Sequence, residues 1–543
     1  MKSKRLLAVF LIFVALFSLL VFRLTKLIQP GSNISQAAQT HGSYSLKIGV
    51  KRGTIYDHSM HPLVNTESEW IAAVRPQKQT NEQLVALAPH VNSLDELKKD
   101  LQNGTPFFIH VNSSNIHAPD VKILQMPIRY SQNNNIAAHI IGYLDHTGKG
   151  ISGLEKAYNS LLTQNSQTVT VQFPVDAVGR SLRGLQPEVH YDGKNPSAGI
   201  VLTIDQDIQK AAQTAAEKYL QTGAVLVMDT KTGDILASVS TPSFNQNNLG
   251  TAVKGANSPL MNRAFSAFNV GSVFKINLAA AALELGTPAD FSVQDNGSVL
   301  VQGRAFHDEN DAGYGLLNMS DGMAYSSNVY YITLGQKIGP ESILDMATRL
   351  GFGKTYALAP DLLPSAGVLP RTSDLRVPAA LANFSIGQGN FLATPVQVAR
   401  MISAVASNGM MPTPRLVKAC VDENQKVIQS FSNATPDRVF STSTAKQLQQ
   451  FMIATVQKGT GHPALPTYGG AGGKTSTAQT GWVEQGKSMD QTWFAGFYPE
   501  QSPRYAIVAM MQNGTAGGTD AGPVFQYIAN SLSSRVGYPA VSQ

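Results

Sequence analysis

Apolar and polar positions alternate differently along four stretches of this chain. An apolar run, Leu6–Phe22, follows Lys2, Lys4 and Arg5. Its length is just enough for a helix to cross a bilayer core. From about Pro30 to Val189, short β-type runs ("GTIYD", "FFIHV") mix with helical stretches such as "NEQLVALAPHVNSLDELKKDL". The linker "YDGKNPSAG" then breaks the pattern with Gly193, Pro196 and Gly199. Beyond it, "IVLTIDQDIQKAAQTAAEKYLQ" predicts a short strand and a long alanine-rich helix capped by Asp205.

The segment "GAVLVMDTKTGDILASVSTPSF" predicts a hairpin turning at Thr230–Gly233. "SVFKINLAAAALELG" is apolar on nearly every side, so it predicts a buried helix that stops at Gly286. The strand period returns in "DQTWFAGFYP" and "YAIVAMMQN". Strands flanking a long helical middle predict an α+β domain over 193–543. The remaining divisions are an N-terminal tip and membrane anchor over 1–28 and a mixed α/β domain over 29–192. Neither internal repeats nor low-complexity segments interrupt them.

Composition narrows the chemistry. The 543 residues are 43% hydrophobic and 14% charged, ample for a large core. The net charge is +6, but 42 basic and 36 acidic residues are dispersed along the chain. No basic run with interleaved aromatics suggests nucleic-acid binding. One cysteine, Cys420, rules out an intrachain disulfide or a cysteine-built metal site. The histidines lack metal-ligand spacing; His58, His61 and His307 beside Asp308 read as surface residues. A signal peptide cleaved near Ser35-Gln36-Ala37 is the rival to an uncleaved anchor, but that site lies far from the apolar run. Basic residues ahead of the span keep the N-terminus cytoplasmic and place the rest on the outer face, although Arg23 and Lys26 beyond it oppose this.

Serine acyl transfer requires an accessible hydroxyl, a base within reach and donors for the developing oxyanion. Ser-x-x-Lys on a helix puts hydroxyl and amine on one face. It occurs at Ser272–Lys275 and Ser443–Lys446. Ser272 opens the apolar helix, where Lys275 would be desolvated and so deprotonated more easily. Ser443 opens an amphipathic helix, where a capping serine and a solvated lysine account for the pattern. Ser-x-Asn occurs at Ser113, Ser131, Ser243 and Ser326; only Ser326–Asn328 lies between Ser272 and the next motif.

Lys231-Thr232-Gly233 sits in the hairpin turn and precedes the serine. Lys474-Thr475-Ser476-Thr477, approached by "YGGAGG", is the better third motif. A phosphate loop would require glycine where Tyr468 stands.

Together "FNVGSVFKI", "AYSSNVYY" and "GGKTSTAQTGW" with "WFAGFYP" resemble the ordered active-site motifs of the penicillin-binding proteins. "KRGTIYD" and "HIIGYLDHTGKGISGLEKAYNSLL" resemble the pedestal of the monofunctional class B members, with no glycosyltransferase domain ahead of it. The resemblance implies a serine β-lactamase-like transpeptidase fold on a pedestal and D,D-transpeptidation of peptidoglycan stem peptides ending in D-Ala-D-Ala. It implies Ser272 as nucleophile, Lys275 as base, and Ser326 with Lys474 as proton carriers. Asn328 would bind the substrate amide, Thr475 and Thr477 the terminal carboxylate, and the N–H groups of Ser272 and Thr477 the oxyanion. β-Lactams would acylate Ser272; no metal or organic cofactor is implied, and a membrane glycosyltransferase is a possible partner.

The same chemistry ending in water, as in a D,D-carboxypeptidase or β-lactamase, is the nearest alternative. A silent scaffold or β-lactam-binding protein is the alternative of another class. Departures from the family are Val270 for proline, Asp57-His58-Ser59-Met60 for Asp-Arg-Asn-Gly, and Ser476 for glycine. On an alternating strand, Ser476 points away from Thr475 and Thr477, and it is expected to narrow substrate preference without stopping acylation.

Overall fold

The computed structural model describes residues 2–28, 42–78, 81–132, 135–176, 182, 185–484 and 486–541. The suggested cleavage site at Ser35–Ala37 lies outside them. Helix α1, Lys2–Ile28, contains a 20-residue stretch, Leu7–Lys26, long and apolar enough to cross a membrane. Its described side chains are exposed throughout, as expected of a helix whose partner is lipid.

The chain forms two compact units, and neither is continuous in sequence. The first comprises 1–53, 65–129 and 164–196. In it, strands Ser43–Lys51, Gln167–Pro174 and Glu188–Gly193 make one antiparallel sheet. Glu67–Val74 lies between Phe107–Val111 and Val121–Ile128 in another. The alternation of strand Glu67–Val74 serves two cores. Ala72 and Val74 face Leu87, Leu97 and Leu101 of two helices, while Ile71 and Ala73 face Val169, Val171 and Phe173.

The second unit comprises 54–64, 130–163 and 197–543. Thr54–Tyr56 pairs parallel with Gly199–Leu202, against which Val417–Val421 and then Val427–Ser430 lie antiparallel. The central sheet has five antiparallel strands: β1 (Gly223–Asp229), β2 (Ile235–Thr241), β3 (Gly472–Ala478), β4 (Asp490–Tyr498) and β5 (Tyr505–Gly514). Their order is β2-β1-β5-β4-β3, which leaves β3 at an edge.

Helix α2 (Gln206–Tyr219) begins at Asp205, whose carboxylate accepts the Asp207 and Ile208 N–H groups, as expected of this cap. Its Ile208, Ala212 and Ala216 pack on Val225 and Val227 of β1. The opposite face, with Ala224, Leu226 and Met228, meets an interior layer of helices. These are α3 (Lys275–Glu284), α4 (Met319–Ala324), α5 (Asn328–Ile338), α6 (Pro395–Ala406) and α7 (Thr442–Lys458). With both faces covered, β1 is buried at nearly every position, which is why "GAVLVMD" is apolar throughout. The predicted hairpin is present: Asp229 accepts the Lys231 and Thr232 N–H groups across its turn.

Candidate active site

Ser272 lies in a 3-10 turn, Gly271–Phe274, that runs directly into α3. The turn is built around Gly271. Its φ of +58° suits a residue without Cβ, and its N–H donates to Gly387 O at 3.0 Å. Val273 and Phe274 are buried. Phe274 packs against Phe391, Phe384 and Phe352 at ring distances of 4.4, 4.8 and 5.9 Å. The serine between these anchors remains partly accessible.

One turn further on, the Lys275 side chain is fully buried. Its Nζ donates to Ser326 O at 2.5 Å, Asn328 Oδ1 at 2.8 Å and Ser326 Oγ at 3.4 Å. A neutral amine has two N–H bonds and a lone pair. The two short contacts can take the N–H bonds, leaving the lone pair to accept a proton. Burial lowers this lysine to about 7, against the opposing pull of Asp308 and Asp295.

Ser326 lies in the turn between α4 and α5, and Asn328 is the first residue of α5. Ser326 has a φ of +59°, in the left-handed region. That costs a non-glycine residue about 1 kcal/mol, so surrounding contacts must hold it. Ser327 caps α5, its Oγ accepting the Tyr330 N–H at 3.0 Å. Asn328 Nδ2 donates to His307 O at 2.8 Å.

Lys474 comes from edge strand β3. It is fully buried, with Nζ donating to Thr475 O at 3.0 Å and Thr475 Oγ1 at 3.5 Å. Burial first, and the nearby charge of Lys275 second, hold it well below the ordinary lysine range. Thr475 is also buried, its hydroxyl 2.6 Å from that of Thr460. Thr477 is exposed and accepts the Gly517 N–H at 3.4 Å. Gly472 and Gly473 open strand β3. A Cβ at either would strike the Phe497 or Phe494 ring, at 2.2 and 2.3 Å; they let the strand lie flat on aromatic rings.

Ser443 and Lys446 are exposed, and the residue capping α7 is Ser441 rather than Ser443. Ser113 accepts its own Asn115 N–H at 3.1 Å in a local turn. Ser243 and Asn245 are exposed; Asn133 lies outside the described residues.

Two features escaped the motif search. Thr460 ties the motifs together: its N–H donates to Ala324 O at 3.0 Å while its hydroxyl meets Thr475. Asp308, beside the exposed His307, is buried at 7% exposure behind the Ser326 turn. Neither carries a local signal, because each partner is far away in sequence. Among the described residues, no three His, Cys, Asp or Glu side chains converge to hold a metal.

Residues 223–530 match the family model described as penicillin binding protein transpeptidase domain. Residues 47–196 match that of the penicillin-binding protein dimerisation domain. The chain is 32% identical over 451 residues to penicillin-binding protein PbpB of Mycobacterium tuberculosis, covering 78% of this chain and 64% of that protein. It is 29% identical over 466 residues to peptidoglycan D,D-transpeptidase MrdA of Acinetobacter baumannii, covering 75% and 67%. The fold is similar to that of penicillin binding protein 3 of Mycobacterium tuberculosis in complex with ampicillin, with TM-score 0.64 and 26% identity over 91% of this chain and 98% of that one.

Proposed function

This chain belongs to the penicillin-binding proteins of class B type, the peptidoglycan D,D-transpeptidases, and from that premise we propose that it cross-links stem peptides through an acyl-enzyme on Ser272. The observation that carries this reading is the buried Lys275 amine, held by Ser326 and Asn328 one turn from a partly accessible serine.

Ser272 Oγ attacks the penultimate D-Ala carbonyl while Lys275 takes its proton. The oxyanion is received by the N–H groups of Ser272 and Thr477. Ser326, with Lys474, returns a proton to the departing D-Ala amine. An amine from a neighbouring stem peptide then attacks the ester, forming the cross-link and restoring the serine. Asn328, whose side chain also orients Lys275, receives the substrate amide. The hydroxyls of Thr475 and exposed Thr477 meet the terminal carboxylate, and Thr475 also contacts Lys474 and Thr460. β-Lactams enter as mimics of D-Ala-D-Ala and stop at the ester. None of these steps requires a metal or organic cofactor.

The N-terminal basic residues favour a cytoplasmic N-terminus, with the catalytic unit on the outer face of the membrane. A membrane glycosyltransferase supplying the glycan strands is the partner this placement suits.

Labelling with a fluorescent penicillin tests the nucleophile: wild-type protein takes the label and Ser272→Ala does not. Product analysis on a D-Ala-D-Ala pentapeptide, with and without an acceptor amine, tests the outcome. Cross-linked product in the presence of acceptor supports transpeptidation; hydrolysis alone under both conditions refutes it.

A further inference from the structure

Two carboxyl groups with no part in the proposed reaction stand behind the Ser326–Asn328 turn. Asp295 is 1% exposed and Asp308 is 7% exposed. The Ser327 hydroxyl lies between them, 2.7 Å from Asp295 Oδ2 and 3.2 Å from Asp308 Oδ2. Asp308 Oδ1 accepts the Asn328 N–H and, at 3.4 Å, the Val329 N–H. Asp295 Oδ1 accepts the Gly297 N–H at 2.8 Å.

A proton is missing from this arrangement if both acids are ionised. Ser327 has one hydroxyl proton and donates it across the shorter contact, to Asp295. The contact with Asp308 is favourable when Asp308 carries a proton and donates to Ser327 Oγ. Two buried carboxylates so placed resist joint ionisation. Burial, reinforced by the contact with Asp295, raises Asp308 to about 6.

The turn therefore has a back and a front. At the back, Asp308 holds the Asn328 backbone and the Asp295–Ser327 contact holds the residue before it. At the front, Ser326 O, Ser326 Oγ and Asn328 Oδ1 receive the Lys275 amine. The contacts at the back offset the left-handed φ at Ser326.

We propose that Asp308, acting with Asp295 and Ser327, is a positioning residue for acyl transfer: it clamps the 326–328 turn onto Lys275, and its charge biases that amine towards the protonated state. This rests on the assignment of Ser272 and Lys275 above. A negative charge on the pair favours the ammonium, and a proton on Asp308 favours the free amine. The other titratable or charged groups facing this region are Lys474, Glu309, Tyr314, Tyr325 and Tyr331, with His307 on the exposed side.

The test is penicillin acylation by the full-length protein in detergent, measured from pH 5 to 9. Asp308→Asn keeps an acceptor for the two amides and a donor towards Ser327, but has no charge. It should acylate within about threefold of wild type at pH 8, with the acidic limb of its profile moved about one unit lower. Asp308→Ala removes the clamp and should acylate about tenfold or more slowly at every pH. Thermal melting monitors folding; if the alanine variant does not fold, the asparagine profile decides alone. A folded Asp308→Ala protein with wild-type rates overturns the clamp, and an Asp308→Asn profile superimposed on wild type overturns the charge bias; either result sinks the proposal. If wild type itself takes no penicillin, the assignment of Ser272 falls instead.

Discussion

Ser476 Oγ stands 2.4 Å from where a Cβ on Gly271 would be. The residue that departs from the family motif therefore faces the residue immediately before the proposed nucleophile. Ser476 is 3% exposed, and its hydroxyl has no hydrogen-bond partner among the described residues. The hydroxyl is packed against the Gly271 turn, on the side of the strand opposite to the exposed Thr477.

This makes the pair a test of the nucleophile turn. Gly271→Ala combines a left-handed φ of +58° with a clash against Ser476. It should lower stability by about 1–3 kcal/mol and slow acylation. Adding Ser476→Gly should recover part of the loss, although the Ala478 Cβ contact at 3.0 Å remains. Ser476→Gly alone should still acylate while changing relative rates across a panel of β-lactams. Melting curves and acylation kinetics on the two single variants and the double variant measure both effects. Unchanged relative rates for Ser476→Gly would rule out a role for this serine in selectivity.

Lys275 predicts the acidic limb of the rate profile. Only the neutral amine can take the Ser272 proton, so acylation should rise with pH through about 7 and level off above it. Lys275→Arg keeps a permanent cation and should lose activity by about 10²-fold or more. The same group makes stability depend on pH. Its folded value is below its ordinary value of 10.5, so between about 7 and 9 the unfolded chain binds more protons than the folded one. This contribution to stability therefore rises with pH over that interval. Denaturant unfolding at pH 7 and pH 9 should show a smaller rise for Lys275→Met than for wild type.

Much of this arrangement was legible in local patterns. Asp205 reads as a cap because its carboxylate needs only the next amides. The Thr230–Gly233 hairpin announces itself through turn residues between apolar strands. The apolarity of the helix that follows separates Ser272 from Ser443; Lys275 is buried and Lys446 is exposed. What local patterns do not express is partnership at long range. Asp308 acts on residues 19 to 21 positions away, and Thr230, in the hairpin turn, donates its hydroxyl proton to a carbonyl 273 positions on. Nor does any composition change reveal that 54–64 and 130–163 fold with the C-terminal unit. Strand Thr54–Tyr56 joins that unit through backbone pairing, which any strand-forming sequence can supply.

The aromatic cluster under the nucleophile turn predicts a further separation of stability from chemistry. Phe274 is the residue before Lys275, and its ring is fully buried against Phe352, Phe384 and Phe391. Gly387, whose carbonyl receives the Gly271 N–H, lies so close that a Cβ there would be 2.8 Å from Phe274 Cβ. The ring thus anchors the same turn that the Gly271–Gly387 bond ties from the other end. Phe274→Ala leaves a cavity and should destabilise the protein by about 3–5 kcal/mol. Phe274→Leu keeps most of the volume and should cost about 1–2 kcal/mol. If the cluster also fixes the direction of Ser272, Phe274→Leu should slow acylation at a temperature where it remains fully folded. Phe352→Leu, which alters the same cluster from outside the turn, should lose comparable stability with little effect on rate. Unchanged rates in both leucine variants would assign the cluster to stability alone.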